Sequence, residues 1–346
     1  MTLRYEIREQ PAILSDLLAR QMPAVREIAR AIRRRSDINY VMLAARGTSD
    51  NAGLYAKYLW GALNKLPTAL AAPSLFSMYD QPPKLDGSVV VGISQSGQSP
   101  DIVGVLAEGR RQGRPTLAIT NDLGSPLAQT AEYVIDIQAG FEGAVAATKT
   151  YTAELMAIAM LSIAMQPDPA REQALGLVSG WVEQVFQMEE RISQVAQRYR
   201  FMHQCVVLGR GYNYSTAFEW SLKLKELSYV MAEPYSSADF LHGPIAMVER
   251  GFPVMAVAPG GSVFDSMLEL LKGLRNEQLA ELMIISDRPE ALALAHTPIP
   301  LPAGIPEWLT PIVSIVPGQL FAYYLTREKG FDTEKPRSIH KVTETQ

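Results

Sequence analysis

The stretch Val89-Val90-Val91-Gly92-Ile93-Ser94-Gln95-Ser96-Gly97-Gln98-Ser99-Pro100-Asp101 runs from an unbroken apolar segment into a hydroxyl-rich turn and then to a proline. An apolar run of this length, bounded by turn residues, reads as a strand buried on both faces of a parallel sheet. Ser-Pro-Asp just before an amphipathic segment reads as a helix N-terminus. Working outward, similar runs occur at Val41 to Ala45, Leu117 to Thr120 and Val134 to Ile137. All four recur, as Val206 to Gly209, Val254 to Ala258, Leu282 to Ser286 and Ile299 to Leu301, each starting 165 residues after its counterpart (41 to 206, 89 to 254, 117 to 282, 134 to 299). Four equal offsets indicate an internal duplication. Arg46-Gly47 returns as Arg210-Gly211, one position early, and Glu142 maps onto Glu307. A weaker fifth strand is expected near Thr68 to Ala72 and around Pro234 to Ala238.

Strands alternating with helical patterns predict α/β architecture, with two doubly wound five-stranded parallel sheets flanked by helices. A length of 346 residues fits two such domains of about 150 each. Residues 1–36 read as an N-terminal helical segment with Leu14, Leu17, Leu18, Ile28 and Ile32 at helical spacing. Residues 37–170 form the first domain, 171–199 a helical connector, and 200–346 the second domain with a C-terminal tail. The connector, Glu172 to Tyr199, reads as one long helix, with Pro167 and Pro169 before it.

The charge balance excludes some partners. Net charge is −4 and the basic residues are dispersed, so no nucleic-acid footprint is present. Arg33 to Arg35 reads as a solvated helix end. The single cysteine, Cys205, excludes a disulfide framework and a thiolate metal cluster, and the four histidines show no ligand spacing. No metal and no cofactor is therefore expected. Without a signal-like core or an uncharged apolar run of about 18 residues, no membrane association is expected and the location reads as cytoplasmic.

Candidate chemistry lies at strand ends, where helix N-termini present free N–H groups to anions. The turn Ser94 to Asp101 offers three hydroxyls, amide side chains and a glycine, which suits a phosphate monoester; neither nucleotide fingerprint, G-x-x-x-x-G-K-[ST] nor G-x-G-x-x-G, occurs. Gly47-Thr48-Ser49 forms a second such turn after the first strand. Its counterpart loop in the second half, Pro259-Gly260-Gly261-Ser262, carries fewer hydroxyls, so the halves are expected to have specialised. In the helix after Gly211, Lys223 and Glu226 share one face, a spacing that surface ion pairs also show. His242-Gly243-Pro244 follows.

Taken in order, Ala45-Arg46-Gly47-Thr48-Ser49, Ser94-Gln95-Ser96-Gly97, Glu142 with Val145 and Thr148-Lys149, Lys223-Leu224-Lys225-Glu226, Leu241-His242-Gly243-Pro244 and Pro336-Arg337-Ser338 with Lys341 resemble the isomerase domain of glucosamine-6-phosphate synthase, a pair of SIS (sugar isomerase) domains. The resemblance runs from about residue 36 to the C-terminus. It implies two tandem SIS domains, with Gly47, Thr48, Ser49, Ser94, Gln95, Ser96 and Ser99 as phosphate and sugar-hydroxyl contacts and the backbone near Val145 lining the sugar. It implies Glu226 as the base moving a proton between C1 and C2, assisted by Lys223. By the same resemblance His242 opens the sugar ring, reaching the site from the neighbouring subunit of a homodimer, and Lys341 forms an imine with the open-chain ketose.

Departures from the pattern narrow the expectation. Arg46 stands where the synthase has cysteine, Gln98 where it has glutamate, and Asp239 where a glutamate precedes the histidine motif. Thr2 follows Met1 with only about 35 residues before the first strand, so the chain is expected to lack glutamine hydrolysis. These features resemble stand-alone amino-sugar phosphate deaminases. The expected reaction converts glucosamine 6-phosphate to fructose 6-phosphate and ammonia; a fructosamine 6-phosphate deglycase or another phosphosugar isomerase is the alternative that keeps the same residues. A non-catalytic sugar-phosphate-binding regulator is a third reading, for which residues 1–36 are short of a DNA-binding domain.

Overall fold

The structure, a computed structural model, describes residues 2–339 and 341. Among these, β1 (Tyr40–Ala44), β2 (Thr68–Leu70), β3 (Ser88–Ile93), β4 (Thr116–Thr120) and β5 (Tyr133–Asp136) form a parallel sheet in the order β2-β1-β3-β4-β5. A second parallel sheet holds β6 (Gln204–Gly209), β7 (Met231–Ser236), β8 (Pro253–Val257), β9 (Glu281–Ser286) and β10 (Thr297–Pro300) in the order β10-β9-β8-β6-β7, the same succession read from the opposite edge. The registers repeat as well. Val41 faces Val89 and Val206 faces Val254, a separation of 48 residues in both cases. Strands β3, β4 and β8 are buried along their whole length, which is why they read as apolar runs without alternation.

The chain divides into two compact units that cross the sequence-based boundaries. One, the first-sheet unit, comprises Ala12–Glu142, Ala147–Leu177 and, of the C-terminal residues, Lys341. The other, the second-sheet unit, contains residues 2–11, Gly143–Ala146 and Val178–Ile339. The N-terminal helix Thr2–Arg33 therefore contributes to each, burying Leu3 and Ile7 in its early turns and Leu14, Leu17, Val25, Ile28 and Ile32 later.

Within the first-sheet unit the helix Gly47–Asn64 packs on Lys149–Met165, whose buried residues include Tyr151 and Leu155 as well as Glu154. The seam is stitched by Trp60 Nε1 donating to the Ile158 carbonyl (3.2 Å) and by Asn64 and Ser162 exchanging bonds at 2.8 and 2.7 Å. In the second-sheet unit the equivalent helices are Tyr214–Ser228 and Thr310–Glu328. There Gly318 lets the Trp220 ring lie against the backbone; a Cβ would fall 3.0 Å from the indole.

Two local expectations change. Strand β7 begins at Met231 rather than near Pro234, and Pro234 sits inside it opposite Val207. An edge strand tolerates proline because the missing N–H faces no ladder partner. The connector is not one helix. It is broken into Pro169–Gly176, Val178–Val185, a 3₁₀ turn at Phe186–Met188 and Glu189–Arg198. Gly176 weakens the helix locally, and the tight turn at 186–188 delivers Glu189 to a buried position where it binds Arg4 (2.6 Å), Arg8 and the Tyr324 hydroxyl (2.7 Å).

Burial by itself raises the Glu189 pKa, but the hydrogen bonds from Arg4, Tyr324 and Arg8 outweigh it and hold the carboxyl below the ordinary glutamate range. A lowered folded-state pKa stabilises the protein above the unfolded value and loses that contribution as pH falls through the folded one. Glu189→Gln is expected to cost ~2 kcal/mol or more at neutral pH, measured by denaturant unfolding, with the gap from wild type closing below a pH of about 4.

Candidate active site

In the first-sheet unit, β1 and β3 are neighbours, so the turns that follow them start from adjacent strand ends. After β1, Arg46 is extended and Gly47 takes a φ of +55°, which turns the chain sharply into the helix Gly47–Asn64 with Thr48 and Ser49 in its first turn. Ser49 points inward and donates to Glu154 Oε1 at 2.8 Å, so its hydroxyl secures the helix pair. Arg46 Nε donates to Asp101 Oδ2 at 2.8 Å, tying the first turn to the start of the helix Pro100–Arg111 that follows the second. In that same first helical turn Asp50 has its carboxyl pKa raised, chiefly by burial, with the Arg46 charge acting in the opposite direction.

After β3, the turn organises its own donors. Ser94 Oγ accepts from the Gly97 N–H (3.1 Å) and Ser96 Oγ accepts from the Gln98 N–H (3.3 Å). A hydroxyl fixed as acceptor keeps its own proton to donate, which is what an anion requires. Ser99 caps the helix Pro100–Arg111 without a side-chain cap bond. Gly97 holds a φ of +61°, and a Cβ there would come 2.2 Å from Ser125 Oγ and 2.5 Å from Ser125 Cβ. Only glycine fits between this turn and the one beneath it.

The same unit brings Glu142 and Lys341 together. Glu142 is buried; it accepts from the N–H groups of Thr148 (2.9 Å) and Thr150 (3.2 Å) and from the Thr150 hydroxyl (2.8 Å), capping the helix Lys149–Met165. Lys341 Nζ donates at 2.7 Å to Oε2, the oxygen that also accepts the Thr150 hydroxyl, while the two backbone N–H groups share Oε1. A tail lysine that could pass for a solvated residue thus has a specific anchor. Val145 belongs to the second-sheet unit, just after two backbone N–H groups, Gly143 and Ala144, that bind the carboxylate of Glu6.

The second-sheet unit holds Lys223, Glu226 and His242. Lys223 is fully buried on the helix Tyr214–Ser228, 2.5 Å from Glu226 Oε2 and 3.4 Å from Glu219 Oε1. Burial is the largest single influence and opposes the charge, yet the two carboxylates together overcome it and raise the lysine pKa. It is therefore a fixed ammonium that orients Glu226, whose side chain is a quarter exposed, while Glu219 is closed off. Glu219 escaped the sequence reading, although its i,i+4 spacing to Lys223 carried the signal. His242 is exposed, just beyond the short helix Ser237–Leu241; its backbone N–H donates to the Asp239 carbonyl (3.1 Å), and its imidazole makes no hydrogen bond or ion pair among the described residues. Cys205 is buried and its thiol is pushed up to about 12 by burial, which makes it unreactive.

The loop that corresponds to the serine turn is built differently. Gly260 N–H is bound by Asp287 Oδ1 (2.7 Å) and Ser262 N–H by Glu307 Oε2 (2.8 Å). Carboxylates of the chain itself occupy the donors that an anion would need, so the two halves have diverged at this point. No group of three or more His, Cys, Asp or Glu suited to a metal ion occurs among the described residues, and no described helix is long and apolar enough to cross a membrane.

Residues 36–164 and 201–327 match the SIS domain. The chain belongs to the SIS domain family. It is 32% identical over 340 residues to the isomerizing glutamine–fructose-6-phosphate aminotransferase of Aquifex aeolicus (strain VF5) and 34% identical over 351 residues to that of Gloeobacter violaceus (strain ATCC 29082 / PCC 7421), covering 97% of this chain in each case. It spans 56% and 57% of those two proteins. Among solved structures it is similar to the C-terminal domain of glucosamine-fructose-6-phosphate aminotransferase from Francisella tularensis, at a TM-score of 0.88 and 27% identity, covering 97% of this chain and 98% of that one.

Two outcomes are expected from this geometry. Gly97→Ala combines a strained φ, costing about 1–3 kcal/mol, with the Ser125 clash, so it should lower stability by at least that much in denaturant unfolding; Gly104→Ala, with open space around its Cβ, should not. Glu142→Gln, which keeps the shape but removes the charge facing Lys341, should speed tryptic cleavage after Lys341 several-fold in limited digestion; an unchanged rate would mean that the pair holds nothing in place.

Proposed function

We propose that this SIS-domain chain acts on an amino-sugar phosphate, deaminating glucosamine 6-phosphate to fructose 6-phosphate and ammonia through an aldose–ketose proton shift. The observation that carries the reading is the buried Lys223 ammonium, which holds Glu226 as an oriented carboxylate with one face toward solvent. A carboxylate so placed suits removal of a proton from carbon, for which a base must be ionised and positioned rather than free to rotate. The hydroxyl-lined turns after β1 and β3 supply the anchor for the phosphate.

In this reading His242 passes a proton between the ring oxygen and O1 to open the sugar. Glu226 then takes the C2 proton and returns it at C1. The C2 amine becomes a ketimine; water attacks that carbon and expels ammonia directly, or Lys341 displaces ammonia to form its own imine, which water then hydrolyses to free fructose 6-phosphate and the lysine amine. Lys341 rests as the donor in its bond to Glu142, so its attack requires that the proton first leave, with Glu142 as the acceptor already in contact. The reading also includes a second copy of the chain, from which His242 reaches the site. The similarity to aminotransferases supports the sugar phosphate class; the departures at Arg46, Gln98 and Asp239 favour deamination over synthesis.

Purified protein given glucosamine 6-phosphate should produce ammonia and fructose 6-phosphate in equal amounts. Glu226→Gln should lower kcat by ~10²- to 10⁴-fold while inorganic phosphate still binds. Formation of glucose 6-phosphate from a fructosamine 6-phosphate, with no ammonia from glucosamine 6-phosphate, would replace this assignment by the deglycase reaction. Binding without product from any amino-sugar phosphate would make the chain a sensor.

A further inference from the structure

We propose that Arg46 is a direct ligand of the anion held by the Ser94 to Ser99 turn, a cation clamped in place by a buried carboxylate so that its outer N–H groups face the bound phosphate. This rests on the phosphate reading above and adds to it the one charged side chain of the cradle. The residues of the two turns, Gly47 to Ser49 and Ser94 to Ser99, are all neutral. They offer hydroxyls and backbone N–H groups but no countercharge for a phosphate monoester.

Arg46 leaves the end of β1 and its Nε reaches Asp101, two residues past Ser99, so its side chain spans the ends of the adjacent strands β1 and β3. Asp101 is fully buried and both its oxygens are used, Oδ1 by the Ile102 N–H (2.9 Å) and Oδ2 by Arg46 (2.8 Å). That bond consumes only Nε. The four N–H groups on Nη1 and Nη2 have no hydrogen-bond partner among the described residues, and half of the side chain, 49%, is exposed. A guanidinium held at Nε with its paired Nη donors directed outward matches the bidentate geometry that phosphate oxygens accept.

The second repeat provides an internal comparison. Arg210 has the same extended backbone, followed by Gly211 at a φ of +59°. Its partner position, 266, is serine rather than aspartate, and there Nη1 itself is taken up, by Ser266 Oγ (3.1 Å) and Ser237 Oγ (3.5 Å). The adjoining loop N–H groups are filled by Asp287 and Glu307. Where the anion donors are internally satisfied, so is an Nη group of the arginine; where the turn keeps hydroxyl protons to donate, the arginine keeps its Nη donors. The aspartate at 101 makes the difference, because it captures Nε and leaves the outer edge open.

The test uses the full chain with inorganic phosphate as the probe. Wild-type protein is treated with phenylglyoxal with and without saturating phosphate, and modification is mapped by mass spectrometry. Phosphate is expected to protect Arg46 by at least about tenfold while leaving the exposed Arg111 equally reactive, and calorimetry of Arg46→Gln should show phosphate affinity reduced by about tenfold or more, the size of a charge-assisted bond to an anion. If wild type binds phosphate but Arg46 stays equally reactive, or if folded Arg46→Gln binds as wild type does, Arg46 is only a tie between two turns and the inference is overturned. Absence of phosphate binding by wild type would instead overturn the phosphate reading on which it rests.

Discussion

Parallel pairing of β1 with β3, and of β6 with β8, is the constraint from which the rest of each unit follows. Two adjacent strands running the same way must end at the same sheet edge, and each must then leave that edge through a turn that starts a helix. Backbone N–H groups therefore collect beside one another before any side chain is chosen. What the side chains decide is whether those donors remain available or are used within the fold.

The two repeats resolve that choice in opposite ways. In the first-sheet unit, hydroxyls of Ser94 and Ser96 accept from their own turn and retain protons, and Gly97 is squeezed against Ser125 so that the turn can hold this shape. In the second-sheet unit, Glu307 and Asp287 reach into the corresponding loop, and a Cβ at Gly261 would strike Glu307 2.2 Å away. A duplicated cradle has become a self-capped structural joint in one copy. The same unit carries the Glu219, Lys223 and Glu226 cluster on the helix Tyr214–Ser228.

Burial of Lys223 illustrates how cost and specificity combine. An isolated ammonium would not stay charged in such a position. Two carboxylates reverse that preference, and the result is a rigid charge that fixes Glu226 at the boundary between core and solvent. Glu142 plays a related part in the other unit, where one buried carboxylate satisfies a helix N-terminus and the Lys341 ammonium together.

Much of the fold was legible in the chain because buried parallel strands have no polar face: their apolar runs, their spacing of 48 residues and the shift of 165 survive as plain patterns. The serine turn, Lys223 and Glu226 were legible for the same reason, as local motifs tied to strand ends and helical spacing. The connector's break at Phe186 to Met188, the extension of β7 through Pro234 and the commitment of Ser49 to Glu154 were not. Each depends on a partner far away in sequence: Glu189 on Arg4, Pro234 on an edge position, Ser49 on a helix 105 residues on. Sequence alone determined which groups are present and how they repeat. Only the tertiary structure decided which donors are spent internally and which remain, because that depends on distances between segments that no local pattern encodes.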